Sequence, residues 1–165
     1  MLYVFVEGPD DEAYFRETFS RFWDVYKIIR YADMKNEKIN NFIKSINCIP
    51  DSDYMFFGDS DGMEINDKRQ LLMSQFSNLS AEKTIIVQYE IESWYYAGID
   101  EFTYKKLKMK HYVFKTDSLT KEQFYSKLAR PSDRKYVMAK ILTEYSLDLA
   151  ITRNNSLNLF GSSYI

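Results

Sequence analysis

This sequence predicts an α/β fold: a largely parallel sheet of about four strands flanked by helices, followed by a helical C-terminal extension. Three observations predict it. Short apolar runs rich in β-branched and aromatic residues, such as Leu2 to Val6 and Tyr54 to Phe57, have the character of strands buried on both faces. Between them, apolar residues recur at helical spacing, most clearly Ile39, Phe42, Ile43 and Ile46 at i, i+3, i+4 and i+7. The connections are short, and strands alternating with helices through short links build parallel sheets with right-handed crossovers.

In order, Leu2 to Val6 is the first strand, ending at Glu7-Gly8-Pro9-Asp10-Asp11. Gly8 permits a sharp exit, Pro9 suits a first helical turn, and Asp10, Asp11 and Glu12 favour the positive end of a helix. Phe15, Phe19 and Phe22 then predict an apolar helix face. Val25 to Tyr31 reads as the second strand, followed by the helix carrying Ile39 to Ile46. Pro50-Asp51-Ser52-Asp53 turns into a third strand that ends at Asp59. Glu64 to Leu79 predicts a third helix with Leu72, Phe76 and Leu79 on one face, and Thr84 to Tyr89 a fourth strand. Beyond residue 100 the pattern turns helical and basic. Phe124 and Leu128 mark a short helix, and Met138, Ile141, Leu142 and Tyr145 a longer one. The tail, Ile151 to Ile165, is polar with Leu157, Leu159 and Phe160 interspersed, and its packing does not follow from the pattern. Residues 1–100 are thus expected to form the core and residues 101–165 a basic, mainly helical extension packed on it, in one structural domain.

Composition narrows the chemistry. The 165 residues are 45% hydrophobic and 28% charged, as in a globular protein with a core of its own. One cysteine, Cys48, allows no internal disulfide and points to a reducing compartment. One histidine, His111, argues against a His-based zinc site and a Ser-His-Asp triad. Catalysis here must run on carboxylates, lysines or a bound metal. No basic leader precedes the apolar N-terminus, and no apolar run approaches the roughly 20 residues of a membrane span, so a cytoplasmic location is expected. Residues 1–100 carry 10 Lys+Arg and 18 Asp+Glu, whereas residues 101–165 carry 12 and 6. An acidic half followed by a basic half suits a metal site beside a phosphate-gripping surface; two solvated faces of unlike sign would give the same count.

The acids are not scattered. The first strand ends at Glu7, the third runs into Gly58-Asp59-Ser60-Asp61-Gly62, and the fourth runs into Glu90-Ile91-Glu92. In a parallel sheet all these ends lie on one edge, with Asp11 a helical turn beyond Glu7. Packed carboxylates repel one another, and a hard divalent cation removes that cost. Oxygen-only ligation points to Mg²⁺ or Mn²⁺. Such a site suits phosphodiester chemistry, in which a metal activates water and holds the phosphate. Asp-Ser-Asp-Gly is equally an ordinary turn sequence, and each acid alone is as well explained by a helix end or a solvated loop.

Val6-Glu7-Gly8-Pro9-Asp10-Asp11 followed by Gly58-Asp59-Ser60-Asp61-Gly62 resembles a Toprim domain, the Rossmann-like catalytic fold of topoisomerases, primases and OLD-family nucleases. Glu90 to Ala97, with its Glu-x-Trp, and Asn154-Asn155-Ser156-Leu157 before Phe160 resemble segments of small standalone members near the OLD branch. The likeness covers residues 1–100 well and the rest loosely. It implies Glu7 as metal ligand or general acid/base, Asp59 and Asp61 as metal ligands, and Asp11 and Glu92 as second-metal or supporting ligands. Glu90 is the weaker candidate, because it lies deeper. A late lysine would steady the transition state, with Lys105, Lys110 and Lys140 as candidates. No ATPase P-loop, DNA gate or primase zinc module is present, and none of the tyrosines stands out as a topoisomerase nucleophile.

The function this implies is a metal-dependent nuclease acting on DNA or RNA, in defence or genome maintenance. Lys105, Lys106, Lys108 and Lys110 would grip phosphates, with Lys110-His111-Tyr112 stacking on unpaired bases. The alternative is a non-catalytic or partner-dependent Toprim module that binds a separately encoded ATPase or another protein. A receiver-like phosphoacceptor ranks last, because it expects paired acids directly after the first strand and a single phosphorylated Asp after the third.

Overall fold

Four strands make one all-parallel sheet in the order β2-β1-β3-β4, with β1 Leu2–Val6, β2 Tyr26–Arg30, β3 Asp53–Asp59 and β4 Thr84–Val87. This computed structural model describes residues 1–20 and 22–164, with Tyr164 in its backbone alone; Ile165, the end of the tail, lies outside the described residues. The chain divides into two compact units, Met1–Val87 and Gln88–Ile165.

In the first unit, α1 (Pro9–Phe19), α2 (Asn36–Ile46) and α3 (Ile65–Gln75) connect the strands. Strand side chains alternate between faces. Phe5, Tyr54, Phe56 and Ile86 pack in one cluster with Ile39, Ile43 and Ile46 of α2 and with Leu72 of α3. Phe57, one residue on from Phe56, instead meets Phe15 of α1 with ring centres 4.3 Å apart. Both faces of the sheet are therefore covered, which is why the strands read as continuous apolar runs. The α/β class and the parallel four-stranded sheet are as the sequence predicts.

The element ends differ in instructive ways. α1 stops at Phe19, so Phe22 falls beyond the helix and is exposed; Trp23 takes the inward place, stacked on Phe19 at 5.2 Å. Val25 is exposed and outside β2. α3 ends at Gln75 because Phe76 leaves the helical region, yet Phe76 and Leu79 are buried as expected, the chain turning back through Leu79 N–H to Phe76 O at 3.0 Å. β4 ends at Val87, and Tyr89 has a left-handed backbone, with φ of 60°.

The second unit holds α4 (Glu92–Ala97), α5 (Glu101–Lys106), α6 (Lys121–Ser126), α7 (Arg134–Thr143), α8 (Leu147–Arg153) and α9 (Asn155–Tyr164). It begins ahead of residue 100, where the composition changes, because α4 is tied to the end of the chain. Trp94 Nε1 donates to Ser156 Oγ at 2.8 Å, and the Trp94 ring stacks on Phe160 at 5.7 Å. The fully buried Arg153 donates to the carbonyls of Phe114 (2.7 Å), Val113 (2.7 Å), Ala97 (2.9 Å) and Ile99. The tail that the pattern left unplaced is thus two helices whose junction anchors this unit. Among the described residues no helix is long and apolar enough to cross a membrane.

Candidate active site

The strand order places a topological switch between β1 and β3: the chain leaves β1 toward β2 on one side, while β3 leads to β4 on the other. Crevices outside the C-terminal ends of strands at such a point are where open α/β sheets bind ligands. The register sets Phe5 beside Phe56, so Glu7 and Asp59 leave neighbouring strands close to the same level.

Glu7 follows the last residue of β1 and is exposed. Asp11, in the first turn of α1, is buried, and its Oδ2 accepts the Gly8 amide at 3.1 Å. That is the return half of a capping box, so Asp11 has a structural task whatever else it does. Asp59 is the last residue of β3, paired in register with Val87, and its Oδ1 is buried. Ser60 N–H extends the ladder to Val87 O at 2.9 Å. Asp61 and Gly62 then turn the chain with φ of 52° and 80°, which carries the Asp61 carboxylate outward. There it meets the ammonium of Lys68 of α3 at 2.5 Å; the Lys68 side chain is only 13% exposed.

Tyr31 joins these acids. It follows β2, and its amide donates to Val6 O at 2.9 Å, which fixes it at the same edge. Its ring is buried and stacks on Phe56 at 4.4 Å. Burial first, and then the negative charges of Glu7, Asp59, Asp11 and Asp61, hold its hydroxyl well above the ordinary phenol value. Four acids from two separate motifs therefore act on one hydroxyl. Gly58 makes room for Leu72 of α3: a Cβ there would stand 2.7 Å from Leu72 Cδ1, while the Tyr31 hydroxyl, at 3.6 Å, would be in ordinary contact.

The donor set is all oxygen, which fits a hard divalent cation such as Mg²⁺ or Mn²⁺. The arrangement as it stands is not yet a cage: among the described residues no three Asp, Glu, His or Cys side chains are grouped to hold a metal ion. The physical reason is visible in the partners, since Asp61 is drawn to Lys68 and Asp11 to the Gly8 amide.

Glu90 and Glu92 belong to the second unit. Glu92 is buried in α4, where its Oε1 accepts the Tyr125 hydroxyl at 2.8 Å and lies 3.8 Å from the Lys121 ammonium. Its Oε2 is buried and has no hydrogen-bond partner among the described residues. Burial first, then the bond to Glu92, raises Tyr125 well above the ordinary phenol value. Glu90 Oε2 accepts the Lys121 amide at 2.7 Å.

Of the expected phosphate-binding lysines, Lys105 pairs with Glu101 at 2.7 Å and Lys106 with Glu144 at 2.6 Å; Lys108 and Lys110 are exposed. Lys140 lies 5.8 Å from the Tyr136 ring centre. The reading from sequence overlooked Tyr31 and Lys68. Neither sits in a motif; their only signal was position, one residue past a strand and one turn into a helix.

No family model, curated protein or solved structure matches the chain. The Toprim resemblance therefore rests on the residues themselves.

Proposed function

We propose that the chain is a Mg²⁺-dependent nuclease of the standalone Toprim type, with its centre at the C-terminal edge of β1 and β3. The observation that carries this is geometric: neighbouring strands β1 and β3 deliver Glu7, Asp59 and Asp61 to one edge, beside Tyr31, at the switch point of a parallel sheet. Asp59, rooted in the β3–β4 ladder, and Asp61, on the turn that follows, would hold the cation together with Glu7. When bound, the cation would supply water activation and charge compensation at a scissile phosphate.

The chain's own residues have distinct tasks in this reading. Glu7, which is exposed, would serve as a metal ligand or take a proton from the attacking water. Lys68 keeps a positive charge beside Asp61 and would offset charge on the phosphate. Asp11 holds the entry to α1 and so the direction of Glu7. The exposed lysines Lys105, Lys106, Lys108 and Lys110 would attract nucleic acid at long range. A cytoplasmic setting belongs to the same reading and agrees with the exposed, unpaired Cys48.

The second reading is a partner-dependent or non-catalytic module, and one observation favours it: among the described residues, no three acids are grouped as a metal site as they stand. The deciding experiment incubates the protein with single- and double-stranded DNA and RNA in Mg²⁺, Mn²⁺ or EDTA, beside an Asp59→Ala/Asp61→Ala variant. Metal-dependent cutting that the variant lacks is expected. A folded protein that binds Mg²⁺ yet cuts none of these substrates would transfer the assignment to the partner-dependent module.

A further inference from the structure

The second unit contains a polar pocket of about 400 Å³ that the nuclease reading does not use. Lys115, Lys127, Ser118, Gln123 and Ser126 line it, Val113 and Leu119 give it an apolar wall, and no acid contributes to it. We propose that this pocket is an anion site that takes the phosphate of a nucleotide unit, free or within a strand. The nucleotide class rests on the nucleic-acid reading above; the anion site does not.

Lys127 is the decisive residue. It is only 7% exposed, yet none of the ion pairs among the described residues includes it. Its ammonium donates to His111 O at 2.7 Å and lies 5.5 Å from the Tyr96 ring centre. An ammonium has three donors, so two remain. Burial pulls its pKa below the ordinary lysine value. A buried cation without a carboxylate is expensive to keep, and an anion entering the pocket would repay that expense.

The other lining groups agree in sign. Lys115 donates to Thr152 O at 3.0 Å and likewise keeps two donors. Gln123 turns its Oε1 to the Thr120 amide at 3.2 Å, which leaves its NH₂ to donate. Ser118 adds a hydroxyl. Two lysines with neutral donors and no acid in the lining disfavour a metal ion and favour a phosphate, which lysine binds as a point charge. The volume lies within the range of about 300–1,000 Å³ typical of small-ligand sites. A bare phosphate would leave much of that space empty, and the Val113–Leu119 wall offers apolar contact to a sugar or base.

The test is an amide-shift titration of the full chain in EDTA, with inorganic phosphate, with AMP, and with a short 5′-phosphorylated single-stranded oligonucleotide. EDTA suppresses metal-dependent cleavage, so failure here is distinct from failure of the nuclease reading. Shifts are expected at Ser118, Gln123 and Ser126, with AMP or the oligonucleotide binding more tightly than phosphate. Tighter binding of the oligonucleotide than of AMP assigns the site to a strand; equal or weaker binding assigns it to a free nucleotide.

Lys115→Ala removes an exposed cation and should weaken binding about tenfold, a typical loss for one charge-assisted hydrogen bond. Ser126→Glu, at an exposed position, places a negative charge at the pocket and should abolish binding. Absence of shifts at millimolar ligand, or binding unchanged in both Lys115→Ala and Ser126→Glu, overturns the proposal. Equal affinity for phosphate and AMP overturns its nucleotide part.

Discussion

Tyr31 shows how much a single side chain can report about its neighbours. Its ring is a core residue, stacked on Phe56, while its hydroxyl feels four carboxylates. Tyr31→Phe separates the two roles. The stacking is kept, so the unfolding midpoint should stay close to that of the parent. Metal-dependent cleavage should fall about 10- to 100-fold, the loss expected when the hydroxyl donates one hydrogen bond to a charged group in the substrate-bound site. Single-turnover rates beside thermal melts check this, and an unchanged rate would leave Tyr31 as core alone. Glu7, Asp59 and Asp61 were legible at this scale because each lies beside a glycine where an apolar run ends or within four residues of that end. Tyr31 and Lys68 were not: a tyrosine after a strand and a lysine in a helix have no local signature of a site.

Among the elements, α6 shows a carboxylate working against its own burial. Glu90 Oε2 accepts the amide of Lys121, the first residue of α6. Burial raises the Glu90 pKa above its usual 4.5; the Lys121 hydrogen bond opposes that, and the charge of Glu92 adds to it. A raised acid holds its proton more firmly in the native state than in the unfolded one. Its contribution to stability therefore falls as pH rises from the ordinary glutamate value through the folded one. Glu90→Gln keeps an oxygen for Lys121 and removes the charge. The variant should melt with the parent near about pH 4 and above it by about pH 8, in melts across that range. A constant gap between the two would contradict the burial account. Helix ends were the least legible feature at this scale. Phe22 fits the periodicity of α1 but lies past its end, because Trp23 fills the space against Phe19.

For the molecule as a whole, the boundary at Val87 and the hub at Arg153 matter most. Arg153 ties Ala97, Ile99, Val113 and Phe114 together through their carbonyls and faces the Tyr112 ring with its guanidinium 5.1 Å from the ring centre. Arg153→Met would take this donor from the two buried bonds, to Ala97 O and Ile99 O, at about 1–3 kcal/mol each, and from the two part-buried ones at less. The second unit should then lose cooperative unfolding. Trp94 emission, read in a Trp23→Phe background, should shift to the red at lower denaturant than in the parent. Arg153→Lys should not rescue it, because one ammonium lacks the planar fork that reaches several carbonyls. A sharp transition at the parent midpoint would show that the hub is dispensable.

Periodicity and the exit residues determined that strand and helix alternate over about the first 100 residues, that the strands are buried on both faces, and that acids stand where strands end. These are local properties, set by side-chain spacing of two or 3.6 residues and by glycine and proline at the exits. Tertiary structure decided the rest. Strand order made β1 and β3 neighbours and brought Tyr31 to their edge. Helix packing delivered Lys68 to Asp61, and the folding of the tail against α4 set where the second unit begins. Those outcomes depend on which distant surfaces bury one another, and no window along a chain carries that information.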